Sequence, residues 1–397
     1  AALSTVLLML FLSVTASLSW WSIYLVLSGI PFILVGIFFS RVFSQKVERS
    51  GWLYWADLSG AGASVLVTLA VMAALGPINT LLLAALVFAI SGMSCWPSGR
   101  LPYVAVAGFG LLLLLNASVG LITLDLTHSG KTIARALDPG DLKGEVIYSY
   151  WDAFARTDVV AYPQRPTERT VFVDGGAGSP AFGAPQGVES LAYLRSDLGY
   201  LPFTLTQPKS VLIIGPGGGK DIALSLLAGS QSIAAVEINP GVLRALDVLS
   251  TYNGNLHRDP AVTLHMAEGR SFLKSGQQMY DLIYLSLVAN EAADLAGLAL
   301  AENYVYTREA FADYLAHLEP GGAVALRLHG EPHLQRAFVT ALSVLASRGL
   351  TTAQAMEQIL IVAAPHPQLP GEIDPLLLVL ASPLSPEQAT LAESIVE

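Results

Sequence analysis

Hydrophobic and polar positions divide the chain into an almost continuously apolar first third and a mixed remainder. Polar breaks cut the apolar part, Ala1 to Leu124, into about five segments of roughly 20 residues, the length that a bilayer core requires. Tryptophan side chains cluster near the segment ends, where amphipathic rings prefer the membrane interface. The pattern predicts a transmembrane helical domain over residues 1–124, with spans near Ala1–Ser19, Trp20–Ser40, Trp52–Leu75, Ile78–Trp96 and Pro102–Leu124.

The residues after the apolar region are more polar and change pattern twice. We interpret residues 125–150 as a linker and residues 151–204 as a small β element. In that element, Asp158-Val-Val and Thr170-Val-Phe-Val have the composition of strands. A glycine-rich turn is expected over Asp174–Pro180, and a helix over Leu191–Leu201.

Residues 205–397 alternate short apolar runs with amphipathic segments, which predicts an α/β domain with a doubly wound, mostly parallel sheet. Strands are predicted near Val211–Ile214, Ser232–Glu237, Val262–Met266, Asp281–Ser286, Ala323–Arg327, Gln358–Ala363 and Leu376–Ala381. Helices are predicted near Asp221–Leu227, Pro240–Thr251, Arg308–Leu318 and Pro332–Ser347.

A glycine-rich turn follows the first of these strands and opens the first helix. Glycine at 215, 217 and 219 permits positive φ and lets a ligand approach the backbone closely. The next strand ends in Glu237, about 20 residues past the turn, where an acid accepts ribose hydroxyls in nucleotide-binding βαβ units. The spacing therefore predicts a nucleotide site, although a glycine turn without a ligand is the alternative.

The carboxyl ends of parallel strands meet at one sheet edge, where ligands bind in open α/β folds. We expect Gly215, Glu237, Glu268 and Ser286 to converge there. Asp221, at the start of the first helix, either stabilises the helix N-terminus or reaches the ligand.

Composition supports a membrane protein, since 53% of the residues are hydrophobic and only 13% are charged. The net charge of −10 and the lack of a basic run argue against a nucleic-acid partner. One cysteine, Cys95, excludes an intramolecular disulfide, and no metal-ligand spacing is present around His329 and His333. Because the first residue is Ala1, we expect the chain to be part of a longer protein.

The side of the membrane on which the polar region lies stays open. Arg41, Lys46 and Arg49 follow the second apolar segment, and the positive-inside rule would place them in the cytoplasm. Three further spans would then put the polar region outside, which conflicts with a nucleoside made in the cytosol.

Several motifs resemble those of spermidine synthases, aminopropyltransferases built on the class I methyltransferase fold. They occur in order: Val211 to Gly219, Val236-Glu-Ile-Asn-Pro240, Asp259 to Leu273 with Glu268-Gly-Arg270, and Tyr280-Asp281. The resemblance covers Trp151 to Ala381. The apolar region, including Tyr54-Trp-Ala-Asp57, is similar to that of membrane-fused bacterial homologues, which implies a multi-pass protein of the bacterial inner membrane.

The resemblance implies binding of S-adenosylmethionine or its decarboxylated form as co-substrate. Gly215, Gly217 and Gly219 would pass the sulfonium side of the ligand, and Glu237 would bind the ribose. Glu268 stands where the family has aspartate beside the adenine amine. Asp221 and Ser286 complete the implied cofactor-binding set.

The chain departs from soluble spermidine synthases where that family carries carboxylates. Their fourth strand ends in Asp-Ser-Ser-Asp, and one aspartate helps to deprotonate the attacking amine, whereas this chain has Ser286-Leu-Val-Ala289. Gly218 replaces the acid of Gly-Gly-Gly-Asp-Gly. These losses argue against efficient aminopropyl transfer to a diamine, unless Glu291 and Asp294 substitute.

Candidate catalytic residues are few. Asp174 lies in a turn expected at the pocket mouth, and Tyr304, next to Glu302, lies in a segment that could fold over it. Three functions stay open: a membrane-anchored transferase acting on a small-molecule or lipid acceptor, a polyamine aminopropyltransferase with a rearranged acid, and a non-catalytic subunit. A homo-oligomer or a partner in a membrane complex is compatible with each.

Overall fold

The computed structural model describes residues 2–14, 21–127, 129–138, 140–288, 304–365 and 373–396. Two compact units are present. The first comprises Ala1–Gly144 and Ser149–Arg156, and the second comprises Glu145–Tyr148 and Thr157–Glu397.

The first unit is helical. Its helices are α1 (Ala2–Val14), α2 (Trp21–Gln45), α3 (Ser50–Cys95), α4 (Arg100–Val119) and the short α5 (Thr132–Leu137). Large apolar side chains such as Phe32 and Leu66 are exposed, whereas Leu82 and Ala85 of α3 form a small core with Val6 of α1. Exposed apolar residues along long helices are typical of a surface that faces lipid.

Three of the described helical segments are long and apolar enough to cross a membrane: Leu25–Gln45, Val47–Cys95 and Arg100–Val119. The second holds two of the predicted spans, because α3 is broken at Gly76, whose φ of 78° and ψ of 171° are not helical. Pro77 follows and lacks the N–H that an unbroken helix needs. The first predicted span extends past α1 into residues 15–20, outside the described residues.

A polar contact joins α3 to α4 beside this break. Asn116 donates from Nδ2 to Asn79 Oδ1 at 2.8 Å, and its own Oδ1 accepts the Ile122 N–H at 2.7 Å. Asn79 in turn donates to the Leu75 carbonyl at 2.7 Å. The two amide side chains thus satisfy polar groups at the break through hydrogen bonds within the protein.

A small four-stranded sheet precedes the main sheet, in the order β1 (Glu145–Trp151), β2 (Arg156–Ala161), β3 (Glu168–Val173) and β4 (Ala177–Phe182). The strands β2, β3 and β4 pair antiparallel. The turn expected over Asp174–Pro180 is shorter than predicted, since only residues 174–176 turn and the chain then re-enters the sheet as β4. Sequence reasoning missed β4 because glycine, serine and proline are poor strand formers.

The helix expected over Leu191–Leu201 is instead two 3₁₀ segments, Val188–Ser196 and Leu198–Tyr200. Asp197 separates them because it is extended, at φ −74° and ψ 140°, and its carboxylate accepts the Gly199 N–H. Helix α6 (Leu201–Thr206) then begins with a proline in its first turn. Side-chain competition for the backbone is what interrupts the helix here.

The main sheet confirms the predicted α/β fold. Its seven strands are β5 (Ser210–Ile214), β6 (Ser232–Glu237), β7 (Val262–Met266), β8 (Tyr280–Ser286), β9 (Leu318–Arg327), β10 (Ile359–Pro365) and β11 (Ile373–Leu380). They lie in the order β10-β11-β9-β8-β5-β6-β7, with β11 antiparallel to both neighbours and the β9-β8-β5-β6-β7 pairs parallel. This mixed sheet agrees with the methyltransferase-like fold that the resemblance implied.

Helices cover both faces of this sheet: α7 (Lys220–Leu227), α8 (Pro240–Val248), α9 (Gly269–Ser275), α10 (Arg308–Ala316), α11 (Gly330–Ser347), α12 (Thr352–Met356) and α13 (Pro386–Val396). Alternate residues of β5 enter the two cores, with Val211 and Ile213 on one face and Leu212 and Ile214 on the other. Burial on both faces explains why the strands are continuous apolar runs. It also leaves the strand ends as the place for polar chemistry.

Candidate functional site

The glycine turn between β5 and α7 packs against β4. Gly215, Gly217 and Gly219 have φ of +74°, +51° and +92°, a region in which side chains are strained. A Cβ on Gly217 would lie 2.2 Å from Ser179 Oγ. From the sequence we expect a ligand to approach the backbone of this turn closely. In the structure, strand β4 of the small sheet approaches it closely.

The small sheet also leaves no room for a side chain at Gly218. A Cβ there would lie 2.4 Å from the Pro180 carbonyl oxygen, which belongs to the backbone and cannot rotate away. The Gly218 N–H donates to Ser179 Oγ at 2.8 Å. A side chain of any kind is therefore excluded at this position, since β4 occupies the space that its Cβ needs.

Glu237, at the end of β6, is a buried acid with only 7% of its surface exposed. Its Oε1 accepts the Asn239 N–H at 2.9 Å, and backbone hydrogen bonds from Ile238 and Gly217 also reach the carboxylate. Burial nevertheless raises the pKa of Glu237 to about 7. The structure thus brings the end of β6 and the glycine turn together around one carboxyl group.

Two exposed apolar side chains flank Glu237. Ile238 follows Glu237 directly and is 47% exposed. Met266, which pairs with Glu237 on the neighbouring strand β7, is 67% exposed. Apolar groups beside a polar carboxyl are the usual lining of a small-molecule site. Sequence reasoning did not single them out, although their position at the ends of adjacent strands was the available signal.

Glu268 follows β7 and occupies the N-cap position of α9. Its Oε1 accepts the Arg270 N–H at 2.9 Å, and its Oε2 accepts the Ser271 N–H at 2.7 Å. Burial alone would raise the pKa of Glu268, but a side-chain hydrogen bond from Ser271, together with the two backbone hydrogen bonds, holds the pKa below its usual value. The backbone brings this segment next to Glu237, because the Ala267 N–H donates to the Glu237 carbonyl at 3.1 Å.

The end of β8 lies directly over the glycine turn. After Ser286, Leu287 has a φ of +53°, and its N–H donates to the Arg327 carbonyl at 2.9 Å. A Cβ placed on Gly215 would be 3.1 Å from Val288 Cγ2, so the valine packs on that glycine. A backbone hydrogen bond joins Val288 to the Tyr306 phenol. An apolar side chain thus covers the first glycine of the turn.

A cluster of ionic groups lies beside β8 and β9. Asp197 Oδ2 pairs with Lys220 Nζ at 2.6 Å, and Asp197 Oδ1 with Arg327 Nη1 at 3.1 Å. Arg327 also forms a two-point contact with Asp374, through Nε at 3.1 Å and through Nη2. Burial alone would raise the pKa of Asp197, but Lys220 and Arg327 hold it below its usual value. Both carboxylates are therefore paired with cations of the protein itself.

Asp221 lies in the first turn of α7 and is 5% exposed. Burial raises its pKa to about 7 even though Lys220 and Arg327 are close. Gly219, not Asp221, occupies the N-cap position of the helix. The Ser225 hydroxyl bonds the Asp221 carbonyl, so this residue belongs to the packed interior of the first turn.

The proposed catalytic residues lie outside the buried part of the site. Asp174 is at φ +51° in the turn between β3 and β4, the hairpin that also carries Ser179. Tyr304, which is 52% exposed, begins the 3₁₀ segment Tyr304–Tyr306. Glu291, Asp294 and Glu302 lie outside the described residues. Within the described ranges, no group of three His, Cys, Asp or Glu side chains could hold a metal ion.

Comparison with known proteins finds similarity within the second unit. Residues 194–366 match the family model described as spermine/spermidine synthase domain. A polyamine aminopropyltransferase of Nitrosomonas europaea is 28% identical over 135 residues, which are 32% of this chain and 38% of the relative. The chain is spermidine synthase-like. The matched segment spans well under half of the curated relative.

Solved structures of spermidine synthases are also similar to part of this chain. A probable spermidine synthase from Corynebacterium glutamicum is 17% identical with a TM-score of 0.45, over 63% of this chain and 86% of that one. The spermidine synthase from Thermotoga maritima is 16% identical with a TM-score of 0.43, over 62% and 77%.

Proposed function

We propose that the chain is a membrane-anchored transferase that binds an S-adenosyl-type nucleoside, either S-adenosylmethionine or decarboxylated S-adenosylmethionine. The observation that carries this proposal is the Glu237 carboxyl, buried at the end of β6 and hydrogen-bonded by the Asn239 N–H at 2.9 Å beside the glycine turn. A fixed acid at this edge of a parallel sheet is suited to the two hydroxyls of a ribose.

The neighbouring residues suit the rest of the nucleoside. Ile238 and Met266 offer exposed apolar surface on either side of Glu237 for an adenine ring. Glu268 would accept a hydrogen bond from the adenine amine only through the lone pairs that its two hydrogen bonds with backbone N–H groups leave free. The backbone of Gly215, Gly217 and Gly219 would lie close to the sulfonium. Asp221 and Ser286 would complete the nucleoside site.

The reaction needs little from the protein beyond alignment. An acceptor lone pair forms a bond to a carbon attached to the sulfonium, and the carbon–sulfur bond breaks with its electrons left on sulfur. The nucleoside leaves as a neutral thioether, and the proton of the acceptor passes to solvent water. Asp174 and Tyr304 are the rim groups proposed to orient the acceptor.

Membrane attachment is supported by the three apolar helical segments. The bacterial inner membrane is the proposed location, and a small-molecule or lipid acceptor is compatible with it. Association with further copies or with another membrane protein is also part of the proposal.

Polyamine aminopropyl transfer is the second candidate. The name of the Nitrosomonas europaea relative and the spermine/spermidine synthase domain both favour it. Decarboxylated S-adenosylmethionine is the aminopropyl donor of that family. The two candidates differ in which nucleoside binds.

Calorimetry on the purified full chain, titrated with each nucleoside, tests the proposal. We expect at least one nucleoside to bind, and Glu237→Ala to weaken its affinity by about 100-fold, as loss of a buried bidentate contact does. Glu189→Ala is the matched control, because Glu189 is an exposed acid that pairs with Arg195 at 3.4 Å. Unchanged affinity in Glu237→Ala, or no binding of either nucleoside, would refute the site.

A further inference from the structure

We infer that a cavity among the helix ends of the first unit binds a phosphate group, in the form that an anionic lipid headgroup carries. The cavity has a volume of about 270 Å³ and lies beside the break in α3 and the end of α4. All of its lining residues belong to the first unit, so none of them is part of the nucleoside site. The inference goes beyond the proposed reaction and rests only on the proposed membrane attachment.

The break in α3 gives this cavity a wall of backbone that is not helical. Gly76 has a φ of 78° and a ψ of 171°, and Pro77 after it has no N–H. Asn79 Nδ2 donates to the Leu75 carbonyl at 2.7 Å. The Thr80 hydroxyl donates to the Gly76 carbonyl at 2.8 Å. Broken helices of membrane proteins place their irregular backbone where it lines a cavity, and such breaks are common ligand sites.

Polar side chains at the cavity supply hydrogen-bond donors. Asn116, which is 5% exposed, donates one of its two Nδ2 hydrogens to Asn79 Oδ1 at 2.8 Å. Its own Oδ1 accepts the Ile122 N–H at 2.7 Å. The amide oxygens are thus used within the protein, while each amide nitrogen carries a second hydrogen. Thr123 also lines the cavity and adds a hydroxyl. A ligand rich in acceptor oxygens fits such a set of donors.

A cation, Arg156, lines the same cavity. Its guanidinium carbon lies over the ring of Trp151, another lining residue, at 5.5 Å from the ring centre. Arg156 Nη2 also donates to Ser149 Oγ at 3.2 Å. These contacts fix the position of a planar group with five N–H donors, whose geometry matches the oxygens of a phosphate. The positive charge favours an anion over a neutral acceptor.

Apolar side chains of Leu75, Ile78 and Leu124 also line the cavity. The predicted membrane spans end at Leu75, begin again at Ile78 and end at Leu124, so spans that alternate in direction bring all three to one membrane surface. Tryptophan is enriched at that depth, and basic pockets among helix ends there bind anionic headgroups. Phosphate donors beside an apolar wall therefore fit a lipid better than free phosphate.

Calorimetry on the purified full chain in an uncharged detergent tests the inference. The probes are dihexanoyl phosphatidylglycerol, dihexanoyl phosphatidylcholine and inorganic phosphate. We expect the phosphatidylglycerol to bind about tenfold more tightly than the phosphatidylcholine, whose choline compensates the phosphate charge. Inorganic phosphate that binds as tightly as the lipid would support the phosphate site and assign it to a soluble ligand. Equal binding of the two lipids without binding of inorganic phosphate, or no binding of any probe, would overturn the inference.

Variants of two lining residues separate the role of charge from that of structure. Arg156→Gln should weaken phosphatidylglycerol binding about tenfold, and Arg156→Lys, which keeps the charge, should weaken it less. Arg165→Gln is the matched control, because Arg165 is an exposed arginine of the second unit that pairs with Glu168 at 3.5 Å. Thr123→Val removes a donor at nearly constant volume and should weaken binding about threefold. It carries the test should Arg156→Gln fail to fold, and unchanged affinity in both would contradict the site.

The membrane attachment is tested separately by extracting membranes with alkaline carbonate, which releases peripheral proteins and leaves integral ones. Release of the chain would refute the attachment on which the lipid site rests. A retained chain that shows no preference for phosphatidylglycerol and does not bind inorganic phosphate would refute the phosphate site alone.

Discussion

Ser179 on β4 accepts a hydrogen bond from the Gly218 N–H at 2.8 Å, and this contact ties the small sheet to the glycine turn. The turn is therefore bounded by β4 at Gly217 and Gly218 and by Val288 at Gly215. A Cβ at either Gly217 or Gly218 would collide with β4. The glycines at 217 and 218 thus have a packing role that does not depend on any ligand.

Gly218→Ala should lower the melting temperature by several degrees, because the new methyl would lie 2.4 Å from the Pro180 carbonyl oxygen. Gly276→Ala is the matched control. Its Cβ would meet only ordinary contacts, the nearest at 3.7 Å. Thermal unfolding of both variants checks the prediction, and equal melting temperatures would show that β4 yields.

Nucleoside affinity should fall as the pH is lowered through 7. Burial raises the pKa of Glu237 to about 7, and the ribose hydroxyls donate to its ionised form. Below pH 7, each unit of pH should therefore weaken binding up to about tenfold, since the carboxylate fraction falls by that factor. Calorimetry between pH 6 and pH 8 measures the slope, which Glu237→Gln should abolish while binding more weakly throughout.

Stability should decrease as the pH rises from about 5 to 7, because of Asp221. Its folded-state pKa is raised to about 7 by burial, so the native protein holds a proton there that the unfolded chain has already lost. Glu237, whose pKa is also raised to about 7, adds to this slope, so Asp221→Asn should make the slope shallower without abolishing it, since an amide does not titrate. The melting temperatures of the unmodified protein and of Asp221→Asn are measured across this pH range. An equal slope in both would contradict the prediction, because ionisation of Asp221 would then not destabilise the folded protein.

Arg327→Met should destabilise the second unit by about 3–5 kcal/mol, because it leaves Asp197 and Asp374 without their shared cation. Arg258→Ala provides the contrast. Arg258 pairs with Asp247 at 2.8 Å with both side chains 60% exposed, a kind of pair that contributes about 0–1 kcal/mol. Denaturant unfolding of the two variants should separate them clearly, and similar losses would argue that the buried cluster is stabilised by other contacts.

Local patterns predicted the strands of the main sheet and the position of Glu237, because both follow from runs of neighbouring residues. The strands β6 and β7 occur at the predicted bounds, Ser232–Glu237 and Val262–Met266. Contacts between distant residues were not predictable in this way. Asp197 and Arg327 are 130 positions apart, and nothing in either segment indicates their pairing. The contacts of Ser179 with Gly218 and of Val288 with Gly215 likewise appear only once the chain is folded.

The apolar region illustrates the same limit. Hydropathy predicted a break at Gly76-Pro77, and the structure has non-helical backbone at Gly76. Hydropathy gave no indication that Asn79 and Asn116 would bond across two helices beside that break. Pairing of polar groups within an apolar region depends on which helix faces meet, which the periodicity of a single helix does not specify.

The most direct measurement of the central claim is an experimental structure of the chain with 5′-methylthioadenosine bound. The account predicts both ribose hydroxyls within about 3 Å of the Glu237 carboxylate oxygens, with the adenine between Ile238 and Met266. A nucleoside bound elsewhere, or a ribose whose hydroxyls do not contact Glu237, would contradict it.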